Sequence, residues 1–137
     1  MTIEQLEQYY GLSSYIDAIE AEISQLYNTV HSPIGNGTHS TEPGNPTERT
    51  ALRIIKLKDQ LEAEKERLIS MQQEIDDWLE TVEDAEIAGI IKWHYIMRCN
   101  WKVTNRKVYG YPDYYYSRKR VIRYFEKLSK LSKEEDI

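Results

Sequence analysis

A double heptad series between residues 54 and 82 restricts this chain more than any other feature. Ile54, Leu61, Leu68, Ile75 and Val82 are spaced by seven, and Leu57, Glu64, Met71 and Trp78 form a second series three residues on. Such spacing puts both series on one stripe of an α-helix, and about four heptads of it predict a coiled coil or helical bundle. Glu64 is the one polar member. Its stem can cover apolar surface while its head reaches water, and a buried polar residue can also set register. The charges between the series, such as Glu62, Lys65, Glu66 and Arg67, read as a solvated face and not as a carboxylate site. Pro46 or Thr47, with Glu48 and Thr50 close by, supplies the start of this helix.

Residues 3–30 carry a matching pattern. Tyr9, Leu12, Ile16, Ile19, Ile23, Leu26 and Val30 step by threes and fours, and a helix of this length spans roughly 40 Å. Gly11, Ser13 and Ser14 are weak helix formers, so a break is expected near them. Residues 31–47 hold three Pro and three Gly among Ser, Thr and Asn, which predicts a connecting loop. His31, His39 and Glu42 in it have neither a cysteine nor an i,i+4 histidine partner to set a metal geometry, so no metal or other cofactor is expected. Residues 1–82 therefore read as a long antiparallel helical hairpin, coiled-coil-like. A lone two-helix hairpin buries little apolar surface, and two of them make a four-helix bundle. A homo-oligomer is expected, with a dimer favoured over a ring. Packing within one chain is the other use of the same stripes.

Charge divides the chain. The formal net charge is −5. Residues 1–91 hold 6 Lys and Arg against 18 Asp and Glu, and residues 92–137 hold 12 against 5. An acidic first part joined to a basic last part suits a polyanion-binding module on a repelling support. The single cysteine, Cys99, excludes an internal disulfide and suits a reducing cytoplasm. No run is apolar and long enough for a membrane span. His94 and Cys99 lack a base, an orienting acid or a further partner, so nucleophilic catalysis is not expected, and the chain reads as a non-enzyme. His94, in Trp93-His94-Tyr95-Ile96-Met97, reads as a partly buried core histidine or as a phosphate contact.

Residues 83–137 read as a second domain of three helices. Asp84 can cap a helix to about Arg98, with Ile87, Ile90, Ile91, Tyr95 and Ile96 as core, and the acidic run at Glu83, Asp84 and Glu86 suits that helix start. Asn100 can cap a short helix opened by Trp101, and Gly110 can close it. Pro112 and Asp113 then start a basic helix. Tyr114, Ser117, Val121, Phe125 and Leu128 share one of its faces, and Tyr116, Lys119, Arg120, Arg123, Lys127 and Lys130 the other. Three helices, the middle one short and the last basic, are the helix-turn-helix plan.

This segment resembles the C-terminal module of phage regulators of the ArpU/RinA type, itself similar to the sigma-70 region 4 that reads the −35 element. The resemblance rests on His94-Tyr95-Ile96 closing an apolar helix, Asn100-Trp101 opening the next, Gly110 at the turn, and the aromatic, basic and apolar residues from Tyr116 to Phe125. Thr104 and Asn105 stand where the pattern has an aliphatic residue and Ala, and the turn is one residue longer. The resemblance covers roughly the last third of the chain. It implies a sequence-specific, DNA-binding transcription regulator of phage or prophage origin that grips double-stranded DNA.

On that plan the base-facing residues are Tyr115, Tyr116, Lys119 and Arg120, with the Arg120 guanidinium able to fork onto guanine. The backbone-gripping residues are Lys102, Arg106 and Lys107 from the short helix and Arg123, Lys127 and Lys130 further along the basic one. Two other functions fit the same parts: a small-terminase-like DNA-packaging protein, and a non-catalytic interaction protein that binds RNA polymerase.

Overall fold

The computed structural model describes residues 1–30 and 46–135. Regular structure among them is helical, with no strand. The helices are α1 (Ile3–Val30), α2 (Pro46–Leu79), α3 (Ala85–Ile91), α4 (Trp101–Tyr109) and α5 (Tyr116–Glu135), with a π-helical turn, Lys92–Ile96, directly after α3. Of the loop expected at 31–47, residues 31–45 lie outside the described residues, and Pro46 and Thr47 already belong to α2. Proline is suited to that first position, where its missing N–H leaves no hydrogen bond unmade.

The expected break in α1 is absent, and the helix runs through Gly11, Ser13 and Ser14. Weak propensity there amounts to about 1 kcal/mol for the glycine. Burial of Tyr9, Leu12 and Ile16 on one face outweighs it.

The described residues divide into two compact units. One comprises Leu12–Ile69. Its core is Ile19, Ile23, Ile54 and Leu57, with Leu26 and Leu61 packed against them. These are heptad positions of both helices, and this part of the two stripes is packed together within one chain. The ion pairs Arg53–Glu22 (3.1 Å) and Lys65–Glu20 (3.0 Å) have both partners about half exposed, and pairs of that kind add little stability. Glu64 stays partly exposed and pairs with Arg67 one turn on. Leu52, Ile55 and Ile69 are exposed.

The other unit comprises Met1–Gly11 and Ser70–Ile137. Aromatic contacts run through this unit. Trp78, near the end of α2, stacks on Phe125 of α5 with centroids 5.5 Å apart. Tyr10 of α1 stacks on His94 at 5.1 Å, and the Tyr9 hydroxyl donates to Gln72 Oε1 at 3.1 Å. Leu6, Ile75, Ile87, Ile90, Ile91, Tyr95, Val121 and Phe125 complete a buried apolar set. The ends of both long helices thus share a core with the basic segment.

The helix expected from Asp84 to Arg98 is shorter and changes pitch. Asp84 caps it, its Oδ1 accepting from the N–H groups of Glu86 and Ile87. After Ile91 the chain widens to π-helical, and the Met97 N–H donates to the Lys92 carbonyl five residues back. Arg98 then adopts φ 63°, a conformation that turns the chain sharply and ends the helix.

Candidate nucleic-acid interface

Helix α4 is set by its two ends. Asn100 has extended backbone, and its Oδ1 accepts from Val103 N–H at 2.8 Å. Gly110 closes the helix at φ 88° with its N–H on the Arg106 carbonyl. Space around Gly110 is open, so glycine is needed there for its left-handed backbone and not for lack of room.

A buried polar network joins α4 to the turn and to α5. Thr104, Asn105 and Ser117 are fully buried. Asn105 Nδ2 donates to the Tyr111 carbonyl at 2.8 Å, and Ser117 Oγ donates to Asn105 Oδ1 at 2.6 Å. Thr104 Oγ1 donates to the Cys99 carbonyl at 3.3 Å. Every buried side-chain polar atom among the described residues has a partner, which is the condition under which a buried network rigidifies a fold.

Asp113 sets the start of α5. Its Oδ1 accepts from the N–H groups of both Tyr115 and Tyr116, at 2.7 and 3.0 Å. Those two bonds hold the carboxyl below its ordinary range. The helix begins at Tyr116, later than the apolar spacing implies. Tyr114 therefore precedes the helix and is exposed, whereas the wheel puts it on the apolar face. Ser117, Val121 and Phe125 do form that face and are buried.

Opposite them, Tyr116, Lys119, Arg123, Lys127 and Lys130 are exposed and occupy one arc of α5. Tyr115 precedes this arc and is also exposed. Arg106 and Lys107 on α4 are exposed as well, and Lys107 Nζ lies 5.2 Å from the Trp93 ring centroid. Lys102 is half-buried, its Nζ 5.7 Å from the Tyr114 ring.

Arg120 departs from the expectation of a freely presented guanidinium. It is 29% exposed, and it donates to Glu86 Oε2 at 2.5 Å and to Asp84 Oδ2 at 3.3 Å. Its Nη1 also donates to the Tyr109 hydroxyl at 3.1 Å, and that hydroxyl donates to Glu86 Oε2 at 3.2 Å. Burial pushes the Tyr109 hydroxyl up to about 12; Arg120 opposes that shift and Glu86 adds to it. The acidic start of α3 thus serves both as a cap and as a counter-charge that ties α3 and α4 to α5.

His94 is buried, stacked between Tyr10 and Trp101, with the Trp101 centroid at 3.6 Å. Its Nδ1 lies 2.7 Å from the Cys99 carbonyl oxygen, so Nδ1 carries the proton and donates. The ring meets Cys99 through the backbone, not through sulfur. Burial lowers the His94 pKa; the Cys99 hydrogen bond works against that and nearby Arg118 adds to it.

Arg118 lies outside the basic stripe that the spacing predicts for α5. It is exposed and lines a cavity of about 160 Å³ with Glu7, Tyr10 and His94. Its place beside the apolar face on a helical wheel is the only sequence signal for this. No group of three or more His, Cys, Asp or Glu among the described residues could hold a metal ion. No helix among them is long and apolar enough to cross a membrane. In comparisons with protein-family models, curated proteins and solved structures, none matches this chain.

Proposed function

We propose that this protein binds double-stranded DNA with sequence preference and acts as a non-catalytic transcription regulator of phage or prophage type, working in the cytoplasm. The observation that carries the proposal is the exposed arc Tyr116, Lys119, Arg123, Lys127 and Lys130 on α5, in a chain whose first 91 residues are strongly acidic. Cations gathered on one helix face make a phosphate-binding surface, and a helix is the element that fits the major groove.

In this reading α3, α4 and α5 work as a helix-turn-helix, with α5 as the reading helix. Tyr115, Tyr116 and Lys119 meet base edges. Arg123, Lys127 and Lys130, with Lys102, Arg106 and Lys107 of α4, grip the backbone. Arg120, held by Asp84, Glu86 and Tyr109, positions α5 instead of reading bases. The α1 and α2 segments within residues 12–69 form an antiparallel hairpin, a reading supported by the Glu20–Lys65 and Glu22–Arg53 pairs. Self-association of that hairpin, as a dimer, is supported by the exposed Leu52, Ile55 and Ile69.

Selection from a pool of random duplexes tests the proposal. Enrichment of a defined motif is the expected result, lost in a Lys119→Ala, Arg123→Ala double variant. Retention of duplexes without any enriched motif refutes sequence preference, and failure to retain duplex at low salt refutes DNA binding altogether.

A further inference from the structure

Five of the 11 tyrosines of the chain lie between residues 109 and 116. Tyr111, Tyr114, Tyr115 and Tyr116 are 46%, 56%, 66% and 41% exposed. Aromatic side chains ordinarily bury most of their apolar area, and a contiguous exposed patch of them marks a binding surface. Three features of the segment say what it binds. Its backbone is held in place, since Asn105 ties down the Tyr111 carbonyl and Asp113 the N–H groups of Tyr115 and Tyr116. The backbone that carries the rings is therefore preorganised, which lowers the ordering cost to a ligand. Cations border it, with Lys102 over the Tyr114 ring and Lys119, exposed at the start of α5, near enough to Asp113 to favour its charged form. Finally, Tyr109 packs edge-on against Tyr116 at 5.0 Å and lies 6.5 Å from Tyr111, whereas no ring among the described residues packs on Tyr115.

We infer that the exposed tyrosines of residues 111–116, set among these cations, form a platform that binds unpaired nucleotides of single-stranded DNA by stacking. Aromatic faces bordered by positive charge are the general means of holding single strands, because every base has a face to stack and every nucleotide a phosphate to neutralise. Paired bases inside a duplex present only their edges, so this use is distinct from duplex reading and does not depend on it.

The test is anisotropy of a labelled oligothymidylate of roughly 15 nucleotides, a length within single-strand site sizes, beside a base-free strand of equal length and a duplex. The full-length protein is expected to bind thymidylate at least about ten-fold more tightly than the base-free strand. Tyr114→Ser with Tyr115→Ser should remove that difference, and Tyr114→Phe with Tyr115→Phe should keep it. Both pairs sit on exposed side chains, and circular dichroism checks that the variants fold. Equal binding of thymidylate and base-free strand, or an unchanged preference in the serine variant, overturns the inference. Binding to thymidylate without duplex binding upholds it and removes the duplex reading. Binding to duplex alone overturns it and leaves the duplex reading standing.

Discussion

Arg120→Ala separates the two roles that this residue can have. Its guanidinium meets two carboxylates and a tyrosine hydroxyl, with Asp84 and Glu86 40% and 54% exposed. Exposed ion pairs measure about 0.2–1 kcal/mol each. Two such pairs and one hydrogen bond, discounted for solvent screening, give about 1–2 kcal/mol for the whole cluster. For a chain of this length each kcal/mol moves the melting temperature by about 3–5 °C, so thermal unfolding should register the loss clearly. Glu86→Gln and Arg120→Ala should couple in a double-mutant cycle by about 0.5–1 kcal/mol, and the coupling should shrink at high salt. Well below the melting transition, duplex affinity of Arg120→Ala should stay within about three-fold of the parent protein, less than the change that about 1 kcal/mol of lost contact gives. An unchanged melting temperature together with lost base preference refutes this account. The guanidinium would then be leaving its carboxylates to read a base.

Other perturbations probe the frame around α5. Asn105→Ala leaves the Ser117 hydroxyl and the Tyr111 carbonyl without their partner, and denaturant unfolding should show a loss of about 2–4 kcal/mol. Gly110→Ala meets open space but a left-handed backbone, so urea unfolding should show a loss of about 1–2 kcal/mol. His94 has a lowered folded-state pKa, so the unfolded chain takes up its proton first as pH falls. Stability from this residue is full above the ordinary value of about 6.5 and declines as pH drops below it. His94→Phe should flatten the stability profile between about pH 7 and pH 5, and an unchanged slope there would place the titration elsewhere.

Local chemistry was the legible part of this chain. Asp84, Asn100 and Gly110 cap or close helices where their residue types demand it, because a cap depends on residues within one turn. The heptad stripes likewise mark Ile54, Leu57 and Ile75 as buried, since periodicity reports a face directly. A face does not report its neighbour. Arg120 sits at the edge of the exposed arc on any wheel, and nothing nearby in sequence shows that Asp84 and Glu86, 36 and 34 residues earlier, hold it. Tyr114 leaves the apolar face that its spacing predicts because the chain at Asp113's turn is not yet helical. The π-helical turn also escapes a local reading, because His94 and Tyr95 reach Tyr10, more than 80 positions away. That same distant stacking brings the start of α1 into the unit that carries α5.

The most direct test of the account is a salt titration of the full-length protein on duplex DNA. Six cations are assigned to phosphates: Lys102, Arg106, Lys107, Arg123, Lys127 and Lys130. Release of their counterions predicts that log Kobs falls with log salt at a slope of about −5 for each copy bound. Replacing Arg123 and Lys127 by Ala should bring that slope to roughly −3 to −4. A slope near zero, or no binding to duplex even at low salt, would contradict the claim that α5 is a DNA-binding helix.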